Sequence, residues 1–223
     1  MSNMSKLARF TVVPAAAVAA IGLASPAAFA ASSYNVSAGS AAAGSSVAFG
    51  AQGSNITFHD ETAGSSVTCS GSSISGSTTV GQGVSGSGIA ALNGSSVSFT
   101  DCTGPVGIEF TVTGSGTWAL NATGDTDANG TTPGNISGIT AKVSGSGCSF
   151  TASGSVAGNY TNGASSGTLT LTGSEATLTL ANVSGFMCGL AGIANGDKVS
   201  FAATYVVNAT DAANNPIAVT SNA

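Results

Sequence analysis

Polar and apolar residues alternate with a period of two along most of the chain. The clearest runs are Ser96-Val97-Ser98-Phe99-Thr100, Gly107-Ile108-Glu109-Phe110-Thr111-Val112-Thr113 and Thr168-Leu169-Thr170-Leu171-Thr172. Thr177-Leu178-Thr179-Leu180 repeats the pattern, and Lys198-Val199-Ser200-Phe201 leads into Thr204-Tyr205-Val206-Val207. Successive side chains of a strand point to opposite faces, so each run sets one face on a core and the other in water. The β-branched residues on these runs favour the same pleated geometry. Helical periodicity is missing beyond the first thirty residues. Asn93-Gly94, Asn129-Gly130, Asn162-Gly163 and Asn195-Gly196 accept the positive φ values of tight hairpin turns. Many short strands with frequent turns predict an all-β fold, an antiparallel β-sandwich or barrel-like sandwich.

The first thirty residues break this pattern and read as an export signal. Lys6 and Arg9 supply a positive start, Phe10 to Leu23 an apolar stretch, and Ala28-Phe29-Ala30 a cleavage pattern. A membrane-spanning helix needs about 20 apolar residues, and this stretch is shorter and interrupted by Pro14. The expected organisation is therefore a signal peptide over 1–30, a flexible leader over 31–46 rich in Ala, Ser and Gly, and a single all-β domain over 47–223. The tail from Ala209 is expected to fray beyond a last strand near Ile217-Ala218-Val219.

A faint internal repeat runs through the domain. Cys69-Ser70 is followed by Ser75-Gly76-Ser77, and Cys148-Ser149 by Ser153-Gly154-Ser155. Each segment reaches a second cysteine, Cys102 or Cys188, then a small-residue turn and a strand ending at Phe110 or Phe201. The two related halves would cover about 47–130 and 131–223. An even number of cysteines in an exported chain favours disulfides. Three pairings are open, and the repeat favours Cys69–Cys102 and Cys148–Cys188. The chain has no C-x-x-C, and its single His, His59, is ten residues from Cys69, so a zinc site is not expected.

Charge narrows the function classes. Without residues 1–30 the chain keeps Lys142 and Lys198 against nine carboxylates, a formal charge of −7. Replacing the counterions of a nucleic acid needs a basic surface, so no nucleic-acid partner is expected. Charged residues make up 6% of the chain, where soluble domains carry about 25%. Ser, Thr, Asn and Gly take their place and leave a neutral, hydroxyl-rich surface. Low charge also guards strand edges poorly, which makes self-association an expectation.

Val67-Thr68-Cys69, Ser75-Gly76-Ser77, Phe99-Thr100-Asp101-Cys102, Trp118-Ala119-Leu120-Asn121-Ala122, Ile136-Ser137-Gly138-Ile139 and Gly158-Asn159-Tyr160 together resemble a secreted protein family of actinobacteria. The resemblance covers most of the chain after the signal. It implies an exported, β-rich, four-cysteine protein of no assigned activity, and it brings no catalytic residues.

Candidate chemistry is sparse. His59-Asp60-Glu61 is the one concentrated set of titratable side chains. Strand neighbours point to opposite faces, so His59 and Asp60 would not converge, and a solvated turn after Asn55-Ile56-Thr57-Phe58 is the simpler account. Asp125-Thr126-Asp127-Ala128-Asn129-Gly130 opens like a calcium loop, which makes Asp125, Asp127 and Asn129 a weak calcium candidate. The twelfth position should be Glu and is Ile136, so a solvated acidic turn is favoured and no cofactor is expected. Trp118 is read as a core anchor rather than a sugar platform. The expected function is that of a secreted or cell-envelope, non-enzymatic β-protein acting through its surface or as a structural component, with a cell-wall or protein partner. Two alternatives are an envelope-embedded β-barrel pore, for which aromatic girdles are lacking, and a secreted hydrolase using His59.

Overall fold

The structure, a computed structural model, describes residues 33–173 and 175–222. The expected signal peptide lies outside the described residues. Fifteen strands run in chain order: β1 (Tyr34–Ala38), β2 (Ser46–Asp60), β3 (Ser65–Cys69), β4 (Gly71–Thr79), β5 (Gly81–Val84), β6 (Ala90–Thr100), β7 (Cys102–Thr103), β8 (Glu109–Gly114), β9 (Thr117–Ala122), β10 (Thr131–Gly145), β11 (Cys148–Thr161), β12 (Gly167–Thr172), β13 (Leu178–Ser184), β14 (Lys198–Ala209) and β15 (Ile217–Ser221). One single-turn helix, α1 (Phe186–Leu190), interrupts them, where the hydrophobic pattern predicted none.

The all-β prediction holds, and the barrel-like form of it describes the pairing best. Twelve strands form one antiparallel sheet that closes on itself. Four long strands, β2, β10, β11 and β14, of 15, 15, 14 and 12 residues, run its full height. Shorter strands fill the gaps in two tiers. In one tier the circuit passes β2, β4, β6, β9, β10, β11, β12 and β14, then returns to β2. In the other it passes β2, β3, β7, β8, β10, β11, β13 and β14. At each level eight antiparallel strands surround one core, and β2 to β9 supply four of these positions while β10 to β14 supply the other four.

The long strands need a local break to serve two tiers. In β2 the break falls at Ser54-Asn55-Ile56-Thr57, in β10 at Ser137-Gly138-Ile139-Thr140. Asn55 has φ of 55° and Gly138 of 73°, the left-handed region that Gly and Asn enter most easily. The extra residue restores the inward phase, and Ile56 and Ile139 are both buried. The first strand of each half thus carries the same S-x-I-T bulge.

A three-stranded sheet, in the order β15-β1-β5, covers one end of the barrel. Its Ile217 and Val219 face the barrel interior. Polar bonds fasten it: the Tyr160 hydroxyl donates to the Ile217 carbonyl at 2.8 Å, and the Asn162 amide exchanges two bonds with Val219, each 2.8 Å. The β1 strand corrects the expected flexible leader. Tyr34, Val36 and Ala38 alternate inward, Tyr34 is fully buried, and β1 pairs over its whole length with β15. Beyond β15, Asn222 bonds to Ser33 through its backbone N–H at 3.0 Å and its side-chain amide at 2.9 Å.

Both disulfides lie in the half of the barrel away from this lid: Cys69–Cys102 and Cys148–Cys188, the pairings favoured by the repeat. Cys148–Cys188 ties the start of β11 to α1. Cys69–Cys102 joins β3 to β7, which share a single backbone pair, Thr68 with Thr103. At sequence separations of 33 and 40, each contributes about 4 kcal/mol by loop closure.

Candidate functional site

The barrel interior is apolar but not filled. Eight strands leave an interior just wide enough for side chains to fill or for one small ligand. Here several inward positions are small. Ala141 and Ala152 face each other across the β10–β11 pair, and Ala51 and Ala90 line the same space. The space they leave is about 140 Å³. An apolar cavity of about 150 Å³ holds a benzene-sized molecule. Trp118, on β9, lines this space and is 6% exposed, as expected of a core anchor. Its indole N–H donates to the Ser115 carbonyl at 2.9 Å, so the ring is held against the cavity wall.

Polar groups at the wall are mostly spent. Tyr205 shares a 3.0 Å bond with Ser72, Thr78 donates to the Ile89 carbonyl at 2.7 Å, and Asn121 donates to Asn135 and Ser137 at 2.8 and 2.9 Å. Asp60 is the exception. It ends β2 at the far end from the lid and is 6% exposed. Its Oδ1 accepts from the N–H groups of Thr62 and Ala63, both at 2.9 Å, while Oδ2 meets no N–H or hydroxyl donor and the carboxyl lies within hydrogen-bonding reach of the Asp197 carboxyl. Burial, and after it the charge of the neighbouring Asp197 carboxyl and a hydrogen bond with it, push the Asp60 carboxyl above the ordinary carboxylate range, against the two backbone donors. Asp197 is itself 5% exposed, and its Oδ2 accepts from the Ala194 N–H at 2.6 Å.

The expected solvated turn is therefore corrected at Asp60, which belongs to the strand and faces inward. The bulge at Asn55 sets this phase: Ile56, Phe58 and Asp60 share the inner side. His59 and Glu61 lie on the outer side, as strand alternation required. The His59 Nδ1 meets the Ser66 hydroxyl at 2.8 Å, and its Nε2 stands 3.7 Å from Glu61, both side chains being nearly half exposed. Glu61 also accepts from the Ser200 hydroxyl at 2.8 Å. This row lies on the outer wall, on the side of β2 opposite the cavity. Asp197 was not singled out in the sequence, because its nearness to Asp60 joins residues 137 positions apart.

The 125–130 loop forms an Asx turn. Asp127 Oδ1 accepts from the N–H groups of Asn129 and Thr131 at 2.8 and 2.9 Å. Ile136, at the position where a calcium loop places its bidentate Glu, is buried in β10. Asp125 lies near enough to Tyr34 to help burial raise that phenol. Among the described residues no group of three or more His, Cys, Asp or Glu is placed to hold a metal ion.

The large apolar side chains left exposed include Val106, Phe186 and Leu190, at the end away from the lid. Closure gives the strands of the twelve-stranded sheet neighbours on both sides, and β15 and β5 are the edges of the three-stranded sheet. The two disulfides are compatible with an extracellular location, and among the described residues no helix is long and apolar enough to cross a membrane. In comparisons with known proteins, no family model, curated protein or solved structure matches this chain.

Proposed function

We propose that this is an exported, non-enzymatic binding protein that takes a small apolar molecule into the interior of its barrel. The observation that carries the reading is the apolar space of about 140 Å³ enclosed by eight strands and lined by Trp118. Pockets of this kind, with few polar groups and a titratable residue of shifted pKa, are where ligands bind. The export signal read in the sequence and the two disulfides support a place outside the cytosol. The outward positions support a barrel in water rather than in lipid. Ser73 and Ser98, and Ser75 and Ser96, bond to each other at 2.8 Å across β4 and β6. A membrane barrel carries an apolar outer band and a polar lumen, the reverse of this arrangement.

The test is a titration of the purified, disulfide-intact protein with benzene and short alkanes. Saturating ligand, at about 100 times Kd, stabilises the native state by about 2.7 kcal/mol. That raises the melting temperature by roughly 5–10 °C for a chain of this size and shifts Trp118 emission. Ala152→Leu, which fills the cavity wall, abolishes both effects. Absence of either effect across the series overturns the reading.

A further inference from the structure

Asp60 and Asp197 define a second property of the cavity. Among the described residues two buried side-chain oxygens meet no N–H or hydroxyl donor, Asn35 Oδ1 and Asp60 Oδ2, and of the two only Asp60 lines the interior space. Among the described residues no cation is paired with these two acids. Lys198, next to Asp197, gives its ammonium to the Thr179 hydroxyl at 2.7 Å. His59 faces the outer wall with Glu61 and Ser66. A carboxylate away from water needs a partner of opposite charge or a strong donor, and truncated solvation makes the lack costly.

The wall beside Asp60 is aromatic. Phe58 lies two residues away on the same inner face and stacks on Phe201 with centroids 4.5 Å apart, and Phe99 stands 5.4 Å from Phe58. Ring faces attract a cation placed over them. Beyond the rings the lining is aliphatic.

We propose that the ligand class is a short apolar amine, with its ammonium at Asp60 Oδ2 and its hydrocarbon body along the cavity. This rests on the reading that the interior binds small apolar molecules, and it specifies the head group. An ammonium supplies both the missing donor and the missing charge. An alcohol supplies the donor alone, and a carboxylate brings a further like charge to the acidic pair.

The experiment compares n-hexylamine, 1-hexanol and hexanoate by calorimetry at pH 7, on the wild type, Asp60→Asn and Asp197→Asn. A charge-assisted hydrogen bond gives hexylamine about tenfold or more over hexanol, with hexanoate weakest. Asp60→Asn, isosteric with the native side chain, loses the preference for the amine and keeps hexanol binding. Asp197→Asn weakens the preference and serves as the second variant. Equal binding of the three by the wild type, or an amine preference that survives Asp60→Asn, overturns this inference and leaves interior binding standing. Failure of all three to bind overturns interior binding, and this inference with it.

Discussion

Asp60 is where the residue-level forces oppose each other. Its Oδ1 holds the turn after β2 through two backbone N–H groups, while Oδ2 is buried beside Asp197 without an N–H or hydroxyl donor. Because its carboxyl titrates above the ordinary range in the folded chain, the proton is held more tightly folded than unfolded. The associated stability is fully present below the ordinary Asp value and is lost as pH rises through the elevated one. Asp60→Asn keeps the Oδ1 acceptor and brings a donor for Asp197. At pH 7 the variant should be more stable by about 1 kcal/mol, the low end for relief of an unsatisfied buried oxygen. At pH 3 the two proteins should melt together. Thermal melts at both pH values check this, and a variant less stable at pH 7 contradicts it. The inward phase of Asp60 was legible in Ile56-Thr57-Phe58-His59-Asp60, whose alternation sets the aspartate beside the two apolar residues. The charged neighbours His59 and Glu61 drew the reading to a turn instead. Asp197 carried no local signal, because its burial follows from packing against a strand 137 residues earlier.

At the scale of elements, the lid is held by phenols and amides rather than by sulfur. Tyr34, on β1, donates to the Gly124 carbonyl at 3.0 Å, and Tyr160, on β11, donates to β15. Burial pushes the Tyr160 phenol up from its ordinary value of 10.0 to about 12. A raised value means the stability is complete below pH 10 and disappears as pH climbs through about 12. Tyr160→Phe should cost about 1 kcal/mol at pH 8 and speed hydrogen exchange in β15. Its stability curve should meet that of the wild type by pH 12, a merging that denaturant titrations at stepped pH would detect. The lid also marks the limit of the sequence reading. Tyr34-Asn35-Val36-Ser37-Ala38 alternates as cleanly as the strands that were recognised, but the small residues around it made the whole segment read as a leader. The S-x-I-T bulges were printed in both halves and carried no meaning until pairing in two tiers explained why a long strand must change phase midway.

For the molecule as a whole, the two ends of the barrel are secured differently. Both disulfides lie in the half away from the lid, and each bond stays within one half of the chain. The alternating pattern, the turn residues and the cysteine spacing made the strands and their covalent ties legible. Closure into a ring was not, because the pairing of β2 with β14 depends on residues about 140 positions apart. The cavity was equally hidden, since alanines such as Ala141 and Ala152 look like ordinary strand residues until they face the same interior.

The contact between Ser33 and Asn222 makes the order of the strands along the polypeptide negotiable. Neighbouring staves of the barrel follow one another along the chain, and the two described ends are near enough to be bridged by a few glycines. A circular permutant joined there and opened between Ala164 and Ser165, in an exposed turn, should fold with both disulfides and melt within a few degrees of the parent. Collapse of that permutant, seen as loss of its β-type circular dichroism, would mean that the native starting point is needed to thread the ring.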